Sequence, residues 1–175
     1  MQVNVRQGER AVLQAMVWAI DDDVPGLVHD HESMPEVPVP AGLPTMVERF
    51  AAAGIEPVSR YRFWDNFEQR PTQWIDDWEQ RSMLDPTYRT WLRFVAGHFA
   101  DPWLDACRMV VLVDLGGWPA ADAAHPQGGF VAPTIDVSCE FHRFDASSDW
   151  LLLDGVLRSF LDPGWDQAAG LSSTW

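Results

Sequence analysis

One segment near the middle of the chain constrains the fold more than any other. Asp101 and Pro102 suit the N-cap and the first position of a helix, and Gly116 suits its end. Between them, apolar side chains occur nearly all the way round the helix. A helix that is apolar on every side is normally surrounded by other structure. The segment therefore predicts a long central helix, about 101–115, wrapped by the rest of its domain.

Segments that predict strands stand on both sides of this helix in the sequence. Residues 60–68 and 88–95 precede it, and residues 134–143 and 150–159 follow it. The first three alternate between apolar and polar residues, and the fourth opens with an apolar run. Gly155 in the fourth segment indicates a bulge or a close backbone approach. An antiparallel sheet curled around one helix accommodates this order, which is an α+β architecture.

The rest of the chain divides by composition. Residues 1–20 predict a β-hairpin with a Gly-containing turn. Residues 21–45 are acidic and then rich in Pro, which predicts an extended linker. Residues 46–175 hold the predicted domain, including a short helix at 46–53 and a loop at 117–131 that is rich in Pro, Gly and Ala.

Charge and cysteine content limit the partners and the compartment. The formal net charge of −14 argues against binding nucleic acid or an anionic membrane by general attraction. The longest apolar run, residues 109–113, is far too short to cross a bilayer. Cys107 and Cys139 belong to no metal or redox motif, which indicates two free, buried thiols in a reducing cytoplasm.

Asp136 is unusual because Asp is depleted in strands. Its face of the predicted strand also holds Thr134, Ser138, Glu140 and His142, opposite apolar residues. The pattern has two interpretations: the polar face of a half-exposed strand, or a carboxylate that takes a proton from water on a rigid sheet.

Other polar clusters in the sequence are weaker candidates for a functional site. His29 and His31 alternate with acidic residues, but they lie in the predicted linker, where an acidic, solvated stretch is the simpler interpretation. Residues 21–23 are three Asp without the spacing of a calcium loop. No glycine-rich phosphate loop or serine nucleophile elbow occurs, and we expect neither a metal nor a cofactor.

Taken in order, several segments resemble the thioesterase-like superfamily, and more narrowly the acyl-CoA thioesterase II type. The segments that carry the resemblance are Phe67–Arg70, Trp91–Phe94, Asp101–Leu115, Pro133–Arg143 and Asp149–Leu153. The resemblance implies a double hot-dog fold, in which each of two domains wraps a sheet around a long helix.

The resemblance also implies a domain assignment. Residues 1–20 resemble the last hairpin of a first hot-dog domain, and residues 21–45 resemble the linker between the domains. Residues 46–175 resemble a second hot-dog domain without its final strands. The chain is therefore expected to be truncated at both ends relative to the family.

The implied activity is hydrolysis of acyl-CoA to a free acid and CoA, without metal or cofactor. In the family an Asp, a Thr or Ser hydroxyl and a Gln hold and activate water. Asp136 resembles that Asp, and Ser159 resembles the hydroxyl residue if a one-residue bulge follows Arg158. The family's Gln would lie beyond Trp175, and Asp114 is expected to serve packing or a polar contact.

Two alternative functions remain open. Without the family's Gln, the chain is also expected to suit a non-catalytic acyl-binding or assembly module. A dehydratase acting on acyl thioesters would need a pair of a histidine and an acid, for which the sequence offers His125 or His142. In each case an incomplete hot-dog leaves edges and apolar surface uncovered, so we expect a homo-oligomer or pairing with another hot-dog domain.

Overall fold

The computed structural model describes residues 1–19, 33–56, 62–76, 83–126, 134, 136–141 and 148–158. The chain forms two compact units, Met1–Met34 and Pro35–Trp175. Antiparallel sheets and helices together make it an α+β protein, as predicted, and the arrangement is compatible with a hot-dog fold. None of the described helices is long and apolar enough to cross a membrane.

The first unit contains the predicted hairpin. Strand β1, Gln2–Gln7, pairs antiparallel with strand β2, Arg10–Met16, and Gly8 takes a φ of +61° in the turn between them. That φ is favourable only for residues without a Cβ, which explains the glycine. Apolar side chains of this hairpin, including that of Leu13, are largely exposed.

The described part of the second unit contains a three-stranded antiparallel sheet. Its strands are β3, Phe67–Pro71, β4, Thr87–Phe94, and β5, Trp150–Val156, with β4 in the middle. The predicted strands at 88–95 and 150–159 are therefore confirmed, although β5 ends earlier than predicted.

The strand predicted at 60–68 is largely wrong, because β3 begins only at Phe67. The described residues before it, Arg62–Asn66, form a 3-10 helix. Asn66 closes this turn by donating a hydrogen bond from Nδ2 to the carbonyl oxygen of Phe63 at 2.8 Å. The ring of Phe63 packs 4.9 Å from that of Phe67. The apolar alternation therefore reflects a cluster of rings and not an extended strand.

Helix α1, Met46–Ala52, confirms the predicted short helix. Thr45 and Glu48 form a capping box: the Glu48 N–H donates to Thr45 Oγ1 at 3.1 Å, and the Thr45 N–H donates to Glu48 Oε2 at 2.7 Å. The two bonds satisfy donors that a helix start otherwise leaves unpaired.

Helix α2, Pro102–Leu115, confirms the limits of the predicted central helix. Asp101 caps it by accepting hydrogen bonds from the N–H groups of Trp103 and Leu104, at 2.9 and 3.0 Å. The predicted burial on every side is not confirmed. Leu112 packs in the core, whereas Trp103 is 74% exposed, so the described strands cover one side of the helix.

Helix α3, Gly117–Ala124, contradicts the loop predicted at 117–131 for its first eight residues. Four of those residues are Ala, which has the highest helix propensity. Pro119 lies in the first turn, where its missing N–H removes no intrahelical hydrogen bond. The Gly and Pro content was therefore a poor indicator of a loop here.

The core joins the sheet to the C-terminal end of α2. Leu92, Leu112 and Leu153 form its buried centre. Gly155 lies so close to Gly116 that a Cβ added to it would stand 3.2 Å from the Gly116 carbonyl oxygen. The predicted close backbone approach at Gly155 is thus confirmed, and it holds the end of α2 against β5.

The opposite face of the sheet carries the second half of the predicted linker. The indole Nε1 of Trp91 donates to the carbonyl oxygen of Pro38 at 2.8 Å. Arg70 Nη1 donates to the carbonyl oxygens of Pro40 and Leu43, at 2.8 and 3.0 Å. The described residues around 38–43 therefore lie on the sheet as part of the second unit.

Candidate functional site

Of the two catalytic residues predicted from the sequence, the structure describes Asp136 but not Ser159. Asp136 is exposed, and the described residues 134 and 136–141 form no strand, contrary to the prediction. Its carboxylate makes no side-chain hydrogen bond to another described residue. Ser159 lies outside the described residues. The assignment of Asp136 and Ser159 as a catalytic pair therefore stays a prediction.

A different carboxylate and hydroxyl do meet in the structure. Thr134 Oγ1 donates a hydrogen bond of 2.5 Å to Oδ1 of Asp114. Asp114 stands in the last turn of α2, and both residues are exposed. A carboxylate that holds a hydroxyl and faces solvent can accept a proton from a water molecule beside it. This Asp114–Thr134 pair is the strongest candidate site among the described residues.

Local packing explains why Asp114 has a defined position. Two residues further on, Gly116 ends α2 against β5, where an added Cβ would stand 3.1 Å from Leu153 Cδ1. Leu112, two residues before Asp114, is buried in the core. The carboxylate is therefore carried on a rigid helix end, as a positioned base requires.

Sequence reasoning treated Asp114 as a packing or polar-contact residue, and the structure does give it a polar contact. One signal could have drawn more attention to it. The partial negative charge at the C-terminal end of a helix disfavours an acidic side chain there. Asp114 interrupts an otherwise apolar run at that place, so helix stability does not explain it.

A second polar cluster lies at the other end of α2. The Asp105 and Arg108 side chains form an ion pair with Nε 2.9 Å from Oδ1, and each residue is only 1% exposed. The Phe99 N–H donates to Asp105 Oδ1 at 3.0 Å, and Arg108 Nη1 donates to the Ser148 carbonyl oxygen at 3.3 Å. The pair thus ties the loop before α2 to the segment before β5.

The pKa of the Asp105 carboxyl is set by burial and by its hydrogen-bond partners. Burial raises that pKa, since it disfavours the charged form. The Phe99 hydrogen bond and the Arg108 guanidinium outweigh burial, and the pKa lies below its ordinary value. The carboxylate is therefore held ionised, as part of the structure.

His98 extends the cluster towards solvent. Its Nε2 lies 2.8 Å from Oδ1 of Asp149, and its Nδ1 lies 3.4 Å from Nη2 of Arg108. This is a pair of a histidine and an acid that sequence reasoning missed, because it considered only His125 and His142. His142 lies outside the described residues, and His125 is exposed at the end of α3.

The remaining candidates from the sequence are potential metal ligands and the two cysteines. Among the described residues, no group of three potential ligands is arranged to hold a metal ion. The acidic and histidine-bearing stretches at 21–23 and 29–32 lie outside the described residues. Cys107 and Cys139 are free, as predicted, but Cys107 is exposed and Cys139 half-buried, so the prediction that both are buried was wrong.

A comparison with known protein families identifies the family of this chain. Residues 30–169 match the family model described as the acyl-CoA thioesterase C-terminal domain. The chain belongs to this family. Searches of curated proteins and of solved structures returned no match. The thioesterase-like resemblance is thereby confirmed, and the matched region contains both polar clusters of α2 together with Asp136 and Ser159.

Proposed function

We propose that this chain hydrolyses acyl-CoA thioesters to a free acid and CoA through an activated water. Its family supports a thioester hydrolase. The observation that carries the proposal is the 2.5 Å hydrogen bond between Thr134 and Asp114. An Asp and a hydroxyl side chain are two of the three groups that such a water-activating site requires, and here they meet at a rigid helix end.

Asp114 acts as the general base in this proposal. Its Oδ2 accepts a proton from water as the water oxygen attacks the thioester carbonyl carbon. The tetrahedral intermediate collapses, the carbon–sulfur bond breaks, and the leaving CoA thiolate takes the proton from Asp114, which restores the base. Thr134 holds the carboxylate by its Oδ1, which keeps the base oriented towards the water.

Asp136 with Ser159 remains the alternative assignment of base and hydroxyl. Asp136 lies two residues after Thr134, in the same segment. We therefore propose a direct comparison of Asp114→Asn, Thr134→Val and Asp136→Asn, measuring release of CoA from acyl-CoAs of several chain lengths. Loss of a general base lowers the rate by about 10²–10⁴-fold, and we expect that loss for Asp114→Asn.

The comparison separates three outcomes. A large loss only in Asp136→Asn would move the base to Asp136 and reject the assignment to Asp114. A loss in Asp114→Asn, with a smaller one in Thr134→Val, supports the proposal. Acyl-CoA binding without turnover in the unaltered chain would indicate a non-catalytic acyl-binding or assembly module instead.

The His98–Asp149 pair favours one further candidate, a dehydratase acting on 3-hydroxyacyl thioesters. The pair has the distance of a hydrogen bond, 2.8 Å, and His98 is partly exposed. Formation of the conjugated enoyl product is measured by its absorbance, with His98→Gln as the test variant. Product formation that His98→Gln abolishes would favour this function over hydrolysis.

We also propose that the chain pairs with a second copy or with another hot-dog domain, in a reducing compartment such as the cytoplasm. Strands β3 and β5 form the two edges of the described sheet in the second unit, and unpaired edges invite further strands. The double hot-dog arrangement belongs to the same proposal. Light scattering at micromolar concentration tests it, and a monomer would count against it.

A further inference from the structure

The Pro-rich segment, residues 35–44, lies on one face of the sheet in the second unit. Four of its ten residues are Pro, and Val39 has a φ of −65° and a ψ of 147°. These angles are close to those of a polyproline II helix, about −75° and +145°. The segment therefore approaches the sheet partly as polyproline II, a conformation whose backbone groups form no internal hydrogen bonds.

The segment turns every third residue towards the sheet. Val37, Pro40 and Leu43 are half-buried, whereas residues 38–39 and 41–42 between them are exposed. A polyproline II helix and the 3-10 turn within the segment both have three residues per turn, so side chains three apart lie on one edge. A regular edge of this kind indicates that the sheet recognises the shape of the segment.

Two side chains of the sheet donate hydrogen bonds to backbone carbonyl oxygens of the segment. Trp91 Nε1 donates to the carbonyl oxygen of Pro38 at 2.8 Å, and Arg70 Nη1 donates to those of Pro40 and Leu43 at 2.8 and 3.0 Å. Pro has no N–H, and its carbonyl oxygen is unpaired in polyproline II. A surface that offers donors beside aromatic rings therefore suits such a backbone, as in other domains that bind Pro-rich segments.

The fold holds both donors in position. Arg70 Nε donates to Glu68 Oε1 at 2.8 Å, and the guanidinium carbon of Arg70 lies 5.1 Å from the centroid of the Trp150 ring. Trp91 is only 9% exposed and lies in β4, the middle strand of the sheet. Donors that are already fixed lose little freedom when a ligand binds. The face is thus organised as a binding site.

We propose that this face of the sheet, with Arg70, Trp91 and Trp150, is a binding site for polyproline II segments. Residues 37–43 are its intramolecular ligand. The three acceptors are backbone atoms, so the site reads the conformation of the ligand more than its side chains. Neither Asp114 nor Thr134 takes part, so the inference is independent of the proposed hydrolysis.

The ligand class follows from how lightly the segment is held. Most side chains of residues 37–43 are exposed, so little apolar surface keeps them on the sheet. Segments with few buried apolar contacts open locally at a low cost in free energy. When residues 37–43 leave the sheet, a Pro-rich segment of another protein takes their place on the same donors.

A fluorescein-labelled peptide of residues 33–44 tests the site on the full-length chain. In Val37→Ser/Leu43→Ser the intramolecular ligand loses two of its contact side chains, which frees the site for the peptide. Fluorescence anisotropy should therefore show at least about tenfold tighter peptide binding than in the unaltered chain. Val47→Ser, at a residue of α1 that is 64% exposed, is the matched control and should bind the peptide as the unaltered chain does.

Two further changes make the test specific. Trp91→Phe, added to Val37→Ser/Leu43→Ser, keeps an aromatic ring but removes the indole donor, and should weaken peptide binding by about fivefold or more. A peptide with Gly in place of all four Pro should bind at least about tenfold more weakly, because a flexible chain must first be ordered.

Hydrogen exchange measured by mass spectrometry needs no weakened segment. In Trp91→Phe alone, the amides of residues 37–43 should exchange about fivefold faster or more, while those of α2 keep their rate. Absence of peptide binding to folded Val37→Ser/Leu43→Ser, or equal binding of the Gly peptide, would overturn the proposal. If that variant does not fold, unchanged exchange of residues 37–43 in Trp91→Phe would overturn it instead.

Discussion

The two ends of α2 carry polar groups of opposite character. At the N-terminal end, Asp105 and Arg108 are buried and form an ion pair. At the C-terminal end, Asp114 is exposed and holds one hydroxyl, that of Thr134. Buried charges are tolerated only when they are fully paired, so the first cluster serves the structure. A carboxylate that faces solvent on a rigid support is free to act on a substrate.

The two ends of α2 show that an acidic residue can serve either the structure or the function. A strongly stabilised charge, such as that of Asp105, is committed to the fold and has little freedom to exchange protons. Asp114 gains little from its place at a helix C-terminus, where the helix dipole disfavours it. The position that stability does not explain is the better candidate for function.

The largest expected effect is a loss of activity, without a loss of stability, at the C-terminal end of α2. Asp114→Asn should reduce turnover of acyl-CoA by about 10²–10⁴-fold. Its unfolding midpoint in urea should change little, since the side chain is exposed. Asp65→Asn, at another exposed carboxylate, is the control and should retain activity. A destabilised Asp114→Asn variant would mean that this end is structural too.

The converse result is expected at the N-terminal end. Arg108→Met should lower the free energy of unfolding by about 3–5 kcal/mol, because it leaves the buried Asp105 carboxylate without its partner. Urea denaturation measures the change. Arg62→Met, at a side chain that is 99% exposed, should be nearly neutral. Equal free energies of unfolding in the two variants would show that the buried Asp105–Arg108 pair contributes no more to stability than an exposed arginine.

Much of the framework was predictable because its signals are local. The cap at Asp101 and the glycine at Gly116 stand next to the ends they set in α2. The alternation over 88–95 correctly indicated strand β4, although residues on both of its faces are buried. Composition gave a wrong prediction for α3, because the helix propensity of its Ala residues had a larger effect than the neighbouring Gly and Pro. At residues 62–66, packing of aromatic rings imitated strand periodicity.

The candidate site was less predictable because its members meet only in three dimensions. Thr134 lies twenty residues after Asp114, and Asp149 lies far along the chain from His98. No spacing rule links such residues in a single sequence. Asp136 was prominent because it stood in a predicted strand, yet the described residues around it form none. The resemblance to the family was correct, whereas the local structure expected around Asp136 was not.

A smaller effect tests how the C-terminal end is held. Gly155→Ala would place a Cβ 3.2 Å from the Gly116 carbonyl oxygen, and backbone cannot yield as a flexible side chain would. We expect a loss of about 1–3 kcal/mol in the free energy of unfolding, as for other overpacked sites. Gly42→Ala, where an added Cβ meets nothing within 4 Å, is the matched control. Equal behaviour of the two variants would argue against a tight contact at the end of α2.

The pH dependence of stability gives the finest test of the comparison. The folded protein holds the pKa of Asp105 below its ordinary value, despite burial, through Phe99 and Arg108. A lowered pKa in the folded state adds stability above the unfolded pKa, about 4, and this stability is lost as pH falls through the folded pKa. The unfolding midpoint in urea should therefore hold from pH 7 to about pH 5 and then fall. In Asp105→Asn the fall between pH 5 and 3 should be shallower, because the ionising group is gone. An equally steep fall in Asp105→Asn and in the unaltered protein would show that the Asp105 charge does not stabilise the fold.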